Sequence, residues 1–187
     1  GRPVGNDVRY DADTKISEFT EPLARGHIAA ALTMFGDSAR AATVFNAALD
    51  SLEQESEDRS RDDFGTRLRD SAAILTLLLE SKSDQVAIER ARMELARAWE
   101  GRIYTSTQEK AWLLAAADGL RREAESWRFS VDGAPASGQL ALQVTAEELA
   151  ARASEIGNTG DKPANLAVTV AGHPVEPLPE SCLPKAS

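Results

Sequence analysis

Apolar residues recur at helical spacing through the first two-thirds of the chain, and then the period changes to alternation. Leu23, Ala24, Ile28, Ala31, Leu32 and Phe35 lie three and four apart, which gathers them on one face of a helix. Thr20-Glu21-Pro22 supplies its start: a hydroxyl cap, an acid in the first turn, and a proline where the missing N–H does no harm. Gly36 stands where a left-handed residue ends a helix, and Asp37 or Ser38 can cap the next. The apolar face of that second helix is Ala41, Val44, Phe45, Ala48, Leu49 and Leu52, and so short a break between two stripes predicts an antiparallel helical hairpin.

Glu53 to Asp63 contains charges and serines with no apolar residue, and predicts a loop that Phe64-Gly65-Thr66 ends. Leu68, Ala72, Leu75, Leu78 and Leu79 form a third stripe, and Ser83-Asp84 punctuates it. Val86, Ile88, Ala91, Leu95, Ala98 and Trp99 carry a fourth, closed by Gly101. Ser106-Thr107-Gln108-Glu109 is a capping box, in which hydroxyl and carboxylate each take the other residue's amide. It opens a fifth helix through Ala111, Trp112, Leu114, Ala115 and Leu120 to about Glu125, and Trp99, Trp112 and Leu114 are expected to pack the hairpins together. The polar stretch up to about Ser17 predicts an irregular lead-in. The hairpins start near Thr20, Thr66 and Ser106, at unequal intervals and without shared residues, so no regular repeat is present.

From Trp127 the pattern is that of strands. Trp127, Phe129 and Val131 alternate with Arg128 and Ser130, and Asp132-Gly133 is a strong two-residue hairpin signal. Leu140, Leu142 and Val144 predict the returning strand, and Leu166, Val168 and Val170 a further one. Between them, Thr145 and Glu148 predict a short helix with its own capping box, and Asn158 to Asp161 a turn. Beyond Gly172, the prolines at 174, 177, 179 and 184 preclude regular structure. The fold class expected is therefore mainly α with a β-rich C-terminal segment, divided into a helical part at 1–125 and a β part at 126–187.

Composition narrows the function more than the fold. With 30 acidic against 21 basic residues and a net charge of −9, the chain repels phosphate backbones, which argues against nucleic acid as a partner. No apolar run is long enough to span a membrane, and the first residues lack the apolar stretch of a signal peptide. A single cysteine, Cys182, forms no internal disulfide. The two histidines, His27 and His173, have no spacing that unites them with each other or with Cys182, so neither a metal site nor a thiol–imidazole pair is expected. No catalytic, metal-binding or cofactor-binding residue is assigned, and no cofactor is expected. Paired carboxylates at Asp62 and Asp63 before Phe64 are the only acid–base option, and beside Arg59 and Arg61 they read as a salt-laced loop. Ser51-Leu52-Glu53-Gln54 resembles a thioester-forming Cys-x-Glu-Gln sequence but lacks the thiol, so it carries no such chemistry.

The run from Tyr104 through Ser106-Thr107-Gln108-Glu109 to Ala117 resembles the last helix of the thioester domain in bacterial alpha-2-macroglobulins. Asp63-Phe64-Gly65-Thr66-Arg67-Leu68-Arg69-Asp70-Ser71-Ala72 resembles the segment that opens an earlier helix of that domain. Phe129 to Gly133, Asn158 to Pro163 and Val170 to Pro174 resemble the β region that follows it, in the same order. The resemblance implies helical hairpins forming part of an α/α toroid, followed by antiparallel strands, in a non-catalytic piece of a protease trap. It implies export to the periplasm or cell envelope, often with a lipid anchor, the signal lying outside this chain. Its implied partners are proteases, met through a full-length parent, and neighbouring domains of that parent. The family's reactive Cys-x-Glu-Gln falls upstream of these residues, so no position here takes that role. A toroid lacking several hairpins exposes an apolar flank, which implies self-association. Two other readings are a free-standing helical-hairpin adaptor and an α/α-barrel carbohydrate-active enzyme, for which the few aromatics offer little sugar platform.

Overall fold

The computed structural model describes residues 4–54, 63, 65–161, 166, 168–169 and 171–172. It is mainly helical with a small antiparallel sheet toward the C-terminus, as the periodicity predicts. Two compact units are formed, one by Gly1–Ser126 with Ser137–Gln143, the other by Trp127–Ala136 with Val144–Ser187.

Among the described residues the first unit holds six helices: α1 (Val4–Thr14), α2 (Pro22–Met34), α3 (Ser38–Gln54), α4 (Arg67–Glu80), α5 (Gln85–Trp99) and α6 (Thr107–Ala124). The α2–α3 turn follows from Gly36, whose φ of +77° is open to glycine at no steric cost. There the Asp37 amide reaches the Leu32 carbonyl at 2.9 Å and the Gly36 amide the Thr33 carbonyl at 2.9 Å, the paired bonds of a Schellman ending. Along α3 the buried residues are Ala41, Val44, Phe45, Ala48, Leu49 and Leu52, the face predicted from spacing alone. At the α2 start Glu21 rather than Thr20 is the cap residue, its side chain makes no capping bond, and Pro22 fills the first turn.

Three expectations fail here. Residues 4–14 form α1 rather than an irregular lead-in: Ala12 is buried, Val8 packs on the core, and Arg9 and Arg40 pair with Asp37 and Asp13. Tertiary contacts supply what the sequence Gly5-Asn6-Asp7 lacks in helix propensity. The second concerns α4, where every residue from Leu68 to Leu78 is buried, not one stripe. It is the central helix, packed by α2, α3, α5 and α6, and a helix covered on all sides needs no polar face. Trp99 (50% exposed) and Leu114 (73% exposed) do not pack the hairpins, whereas Trp112 does lie against the core.

In the second unit β1 (Arg128–Val131), β2 (Ala134–Ser137) and β3 (Ile156–Asn158) make a sheet in the order β2-β1-β3, with α7 (Ala146–Ala151) between β2 and β3 in sequence. The returning strand follows the turn at once instead of beginning at Leu140. Asp132 at φ +50° and Gly133 at φ +82° both have positive φ, as in a two-residue I′ hairpin, which pairs the very next residues. That puts Pro135 in a strand, and β2 is an edge strand, where a missing N–H is tolerated. β3 runs antiparallel to β1 with Phe129 opposite Asn158 and Val131 opposite Ile156. At Gly157 a Cβ would sit 2.8 Å from Ser130 Oγ across the pair, so a larger residue there would need the serine hydroxyl to turn away. Leu166, Val168 and Thr169 lie in no strand, while Val170 and the prolines beyond it fall outside the described residues. The second capping box forms as expected, with the Thr145 amide 2.8 Å from Glu148 Oε2 and the Glu148 amide 3.3 Å from Thr145 Oγ1.

Candidate functional site

Polar side chains are gathered at the starts of α4 and α6. Thr66 caps α4, its Oγ1 accepting the Arg69 amide at 3.1 Å, and the same hydroxyl donates to Glu109 Oε1 at 2.7 Å. Glu109 is the second half of the α6 capping box: its Oε2 takes the Ser106 amide at 2.6 Å, and its own amide meets Ser106 Oγ at 3.3 Å. Arg102 lies 3.6 Å from the same carboxylate. One buried carboxylate thus fastens two helix starts that are 43 residues apart in sequence.

Alongside it stands a second cluster. Arg69 donates to Asp70 Oδ1 at 2.7 Å and to Asp63 Oδ2 at 2.7 Å, and Asp63 Oδ1 accepts the Gly65 amide at 2.9 Å. Asp70 is fully buried and Arg69 nearly so. Arg67 donates to Glu94 Oε2 at 2.6 Å, and Arg97 pairs with the other oxygen of that buried carboxylate. Each of these carboxylates meets a guanidinium, a hydroxyl or a backbone amide, and the charge-assisted bonds tie the starts of α4 and α6 to their neighbours.

Burial by itself opposes the charge on Glu109. The Ser106 amide, the Thr66 and Ser106 hydroxyls and the Arg102 charge outweigh it, and the carboxyl titrates below the ordinary glutamate range. A carboxyl depressed on folding stabilises the protein above its unfolded pKa, and that contribution fades as pH falls through the folded value. Glu109→Gln should therefore cost about 1 kcal/mol at neutral pH, the difference between charged and neutral hydrogen bonds. The gap from wild type in urea melts should close as the pH is lowered below about 4, near and beneath the unfolded value. A gap that stays constant down to pH 2 would mean the charge is not what holds the clasp.

The residues weighed for chemistry scatter. His27 is exposed on α2, its ring tilted toward Trp112 at 6.3 Å between centroids. Asp63 is held by Arg69, while Asp62, Phe64, Arg59, Arg61, His173 and Cys182 lie outside the described residues. Ser51 to Gln54 is the last turn of α3: Ser51 Oγ receives Arg25 and donates to the Ala47 carbonyl at 2.8 Å, Leu52 is in the core, and Glu53 pairs with Arg90 at 2.8 Å. Among the described residues no group of three His, Cys, Asp or Glu is placed to hold a metal, and no helix is long and apolar enough to cross a membrane. A cleft of about 250 Å³ opens between the α2–α3 and α4–α5 turns, floored by Phe45, Leu78 and Ala87 and rimmed by Ser81, Lys82 and Asp84. Asp84 is already committed to capping α5 through the Val86 and Ala87 amides, both at 3.0 Å. Thr66, Arg69 and Asp70 lie in one segment of the sequence and Ser106 and Glu109 in another, and nothing in their spacing joins the two. The signal was a capping-box carboxylate with a spare oxygen and a second helix start rich in paired charges.

No family model and no curated sequence matches the chain. Among solved structures it is similar to Salmonella alpha-2-macroglobulin reacted with methylamine, at 28% identity and a TM-score of 0.55 over 84% of this chain. A mutant of the same Salmonella protein gives 27% identity and a TM-score of 0.53 over the same share. The chain spans about 10% of the length of either structure. It is thus distantly alpha-2-macroglobulin-like over most of its length.

Proposed function

We propose that this chain is a non-catalytic scaffold segment of a bacterial alpha-2-macroglobulin-like protease inhibitor of the cell envelope. The observation that carries the reading is the likeness of 84% of the chain to about 10% of a much larger protein. Two features support it. The segments that carry the resemblance, at Asp63 to Ala72 and Tyr104 to Ala117, meet through the hydrogen bond from Thr66 to the buried Glu109, which joins two helix starts. The carboxylates of that cluster are engaged with cations, hydroxyls or amides, which suits a scaffold and not a reaction centre. In this reading α2 to α6 are part of an α/α toroid, and the segment with β1 to β3 leads into the next domain. Proteases are partners of the parent, neighbouring domains are partners of this segment, and the location is the periplasm or envelope.

The size of the native parent tests it. Antibody raised to this chain, blotted against envelope and cytosolic fractions of the encoding cell, should detect a band many times larger than 20.1 kDa in the envelope, clipped by added protease. A cytosolic band near the chain's own mass would refute the reading and leave a helical-hairpin adaptor in its place.

A further inference from the structure

α2 and α4 end in the same way. At the α2–α3 turn the Asp37 and Gly36 amides reach back to the Leu32 and Thr33 carbonyls at 2.9 Å each. At the α4–α5 turn the Ser83 and Lys82 amides reach back to the Leu78 and Leu79 carbonyls at 3.1 Å each, the same pair of bonds. The left-handed position of this ending is held by Gly36 in one turn and by Lys82, at φ +49°, in the other. Glycine takes that conformation without strain and lysine does not, so the α4–α5 turn carries a cost that glycine would remove. Strain kept at only one of two matching turns needs a use for the side chain to explain it.

Lys82 stands at the rim of the cleft between these turns. Among the described residues it has no ion pair, whereas Arg40, Arg69, Arg90 and Arg121 each hold two carboxylates. The hydroxyls of Ser38, Ser81 and Ser83 line the same cleft, and among the described residues they too have no hydrogen-bond partner. Asp84, the acid on the rim, is engaged by the Val86 and Ala87 amides, where the start of α5 offsets its charge. The floor is apolar, with Phe45, Leu78 and Ala87 all buried. A free cation and three free hydroxyls around an apolar floor match an anion with an apolar body. The volume of about 250 Å³ is below the roughly 300 Å³ at which pockets for drug-sized molecules begin, and suits one branched side chain with its carboxylate.

We propose that this cleft binds a small aliphatic carboxylate, its chain on Phe45 and Leu78 and its charge at Lys82. The site does not depend on the protease-trap reading. Two sources share that chemistry, a free branched acid and the leucine-like C-terminus of a peptide; isocaproate and N-acetyl-L-leucine stand for them. In amide NMR titrations of the 187-residue chain, at least one of the two should shift Ser81, Lys82 and Ser83. The expected Kd is on the order of 1 mM, since so few ligand atoms make contact. Tighter binding of N-acetyl-L-leucine identifies a peptide end, and equal or weaker binding a free acid. N-acetyl-L-leucinamide, which lacks the charge, and acetate, which lacks the chain, should each bind at least about ten-fold more weakly. Lys82→Gly should lose the same factor yet melt no lower than wild type, because glycine relieves the turn. Lys82→Met, which keeps a long side chain and removes only the charge, should lose binding equally. No shift at the cleft up to about 20 mM of either acid, leucinamide binding as well as the acids, or Lys82→Gly binding like wild type would each overturn the proposal.

Discussion

Asp70→Ala lowers the stability of the helical unit by about 3–5 kcal/mol, because it strands a buried guanidinium and not because it removes a favourable contact. Asp70 has no exposed surface and lies 2.7 Å from Arg69, itself only 7% exposed. With alanine there, Arg69 keeps among the described residues the partly exposed Asp63 as its carboxylate, and burial no longer has an equally buried counter-charge to offset it. Against a typical total of 5–15 kcal/mol the loss is large, and the thermal midpoint should fall by about 10 °C. The mechanism has its own check. Adding Arg69→Met to Asp70→Ala removes the stranded charge, and the double variant should be more stable than the single one. A single variant within about 1 kcal/mol of wild type would show that Arg69 finds solvent or another acid when Asp70 is gone.

Leu75→Ala should cost about 3–5 kcal/mol, the range for emptying a leucine site that cannot collapse. Leu75 is fully buried at the middle of α4, with other helices on every side. The comparison is Leu114→Ala on α6, which lies 73% exposed and should change stability by less than about 0.5 kcal/mol at low protein concentration. Urea melts of the two variants at micromolar concentration separate the reading of α4 as the central helix from the simpler picture of equal amphipathic hairpins. Equal losses in both would mean that α6 is covered on its outer side even in the monomer.

How far the sequence carried can be judged element by element. The α3 face, the Gly36 turn and both capping boxes were legible because each is set by residues within one or two turns of one another. α1 was not, because a helix holding Gly5 and Asn6 stands on ion pairs to Asp37 and Arg40, more than 20 residues away. The burial of α4 was half legible: Leu77, Leu78 and Leu79 follow one another, which a single stripe cannot absorb, but Arg69, Asp70 and Ser71 hide the same fact at its other end. Leu140, Leu142 and Val144 alternate like a strand yet form none, since the I′ turn fixes the pairing at Ala134. β3 was invisible in a segment with one apolar residue, Ile156, whose place is fixed by its register with Val131. At the candidate site, the residues could be named and the bond from Thr66 to Glu109 could not. Spacing describes neighbours on one helix, and that bond joins two.

The clasp also has a bearing on the order in which the chain assembles. The turns at Gly36 and at Ser81 to Asp84 are short, so α2–α3 and α4–α5 can close as soon as each pair has been synthesised. α6 belongs beside α4, and α5 intervenes. Until Glu109 emerges, the N-terminal end of α4 has its own threonine cap and the Glu94 carboxylate of α5 but none from α6, and the apolar surface meant for α6 is uncovered. A nascent chain halted before α6 has emerged would therefore present that surface to chaperones, and one halted once residue 124 is clear of the ribosome would not.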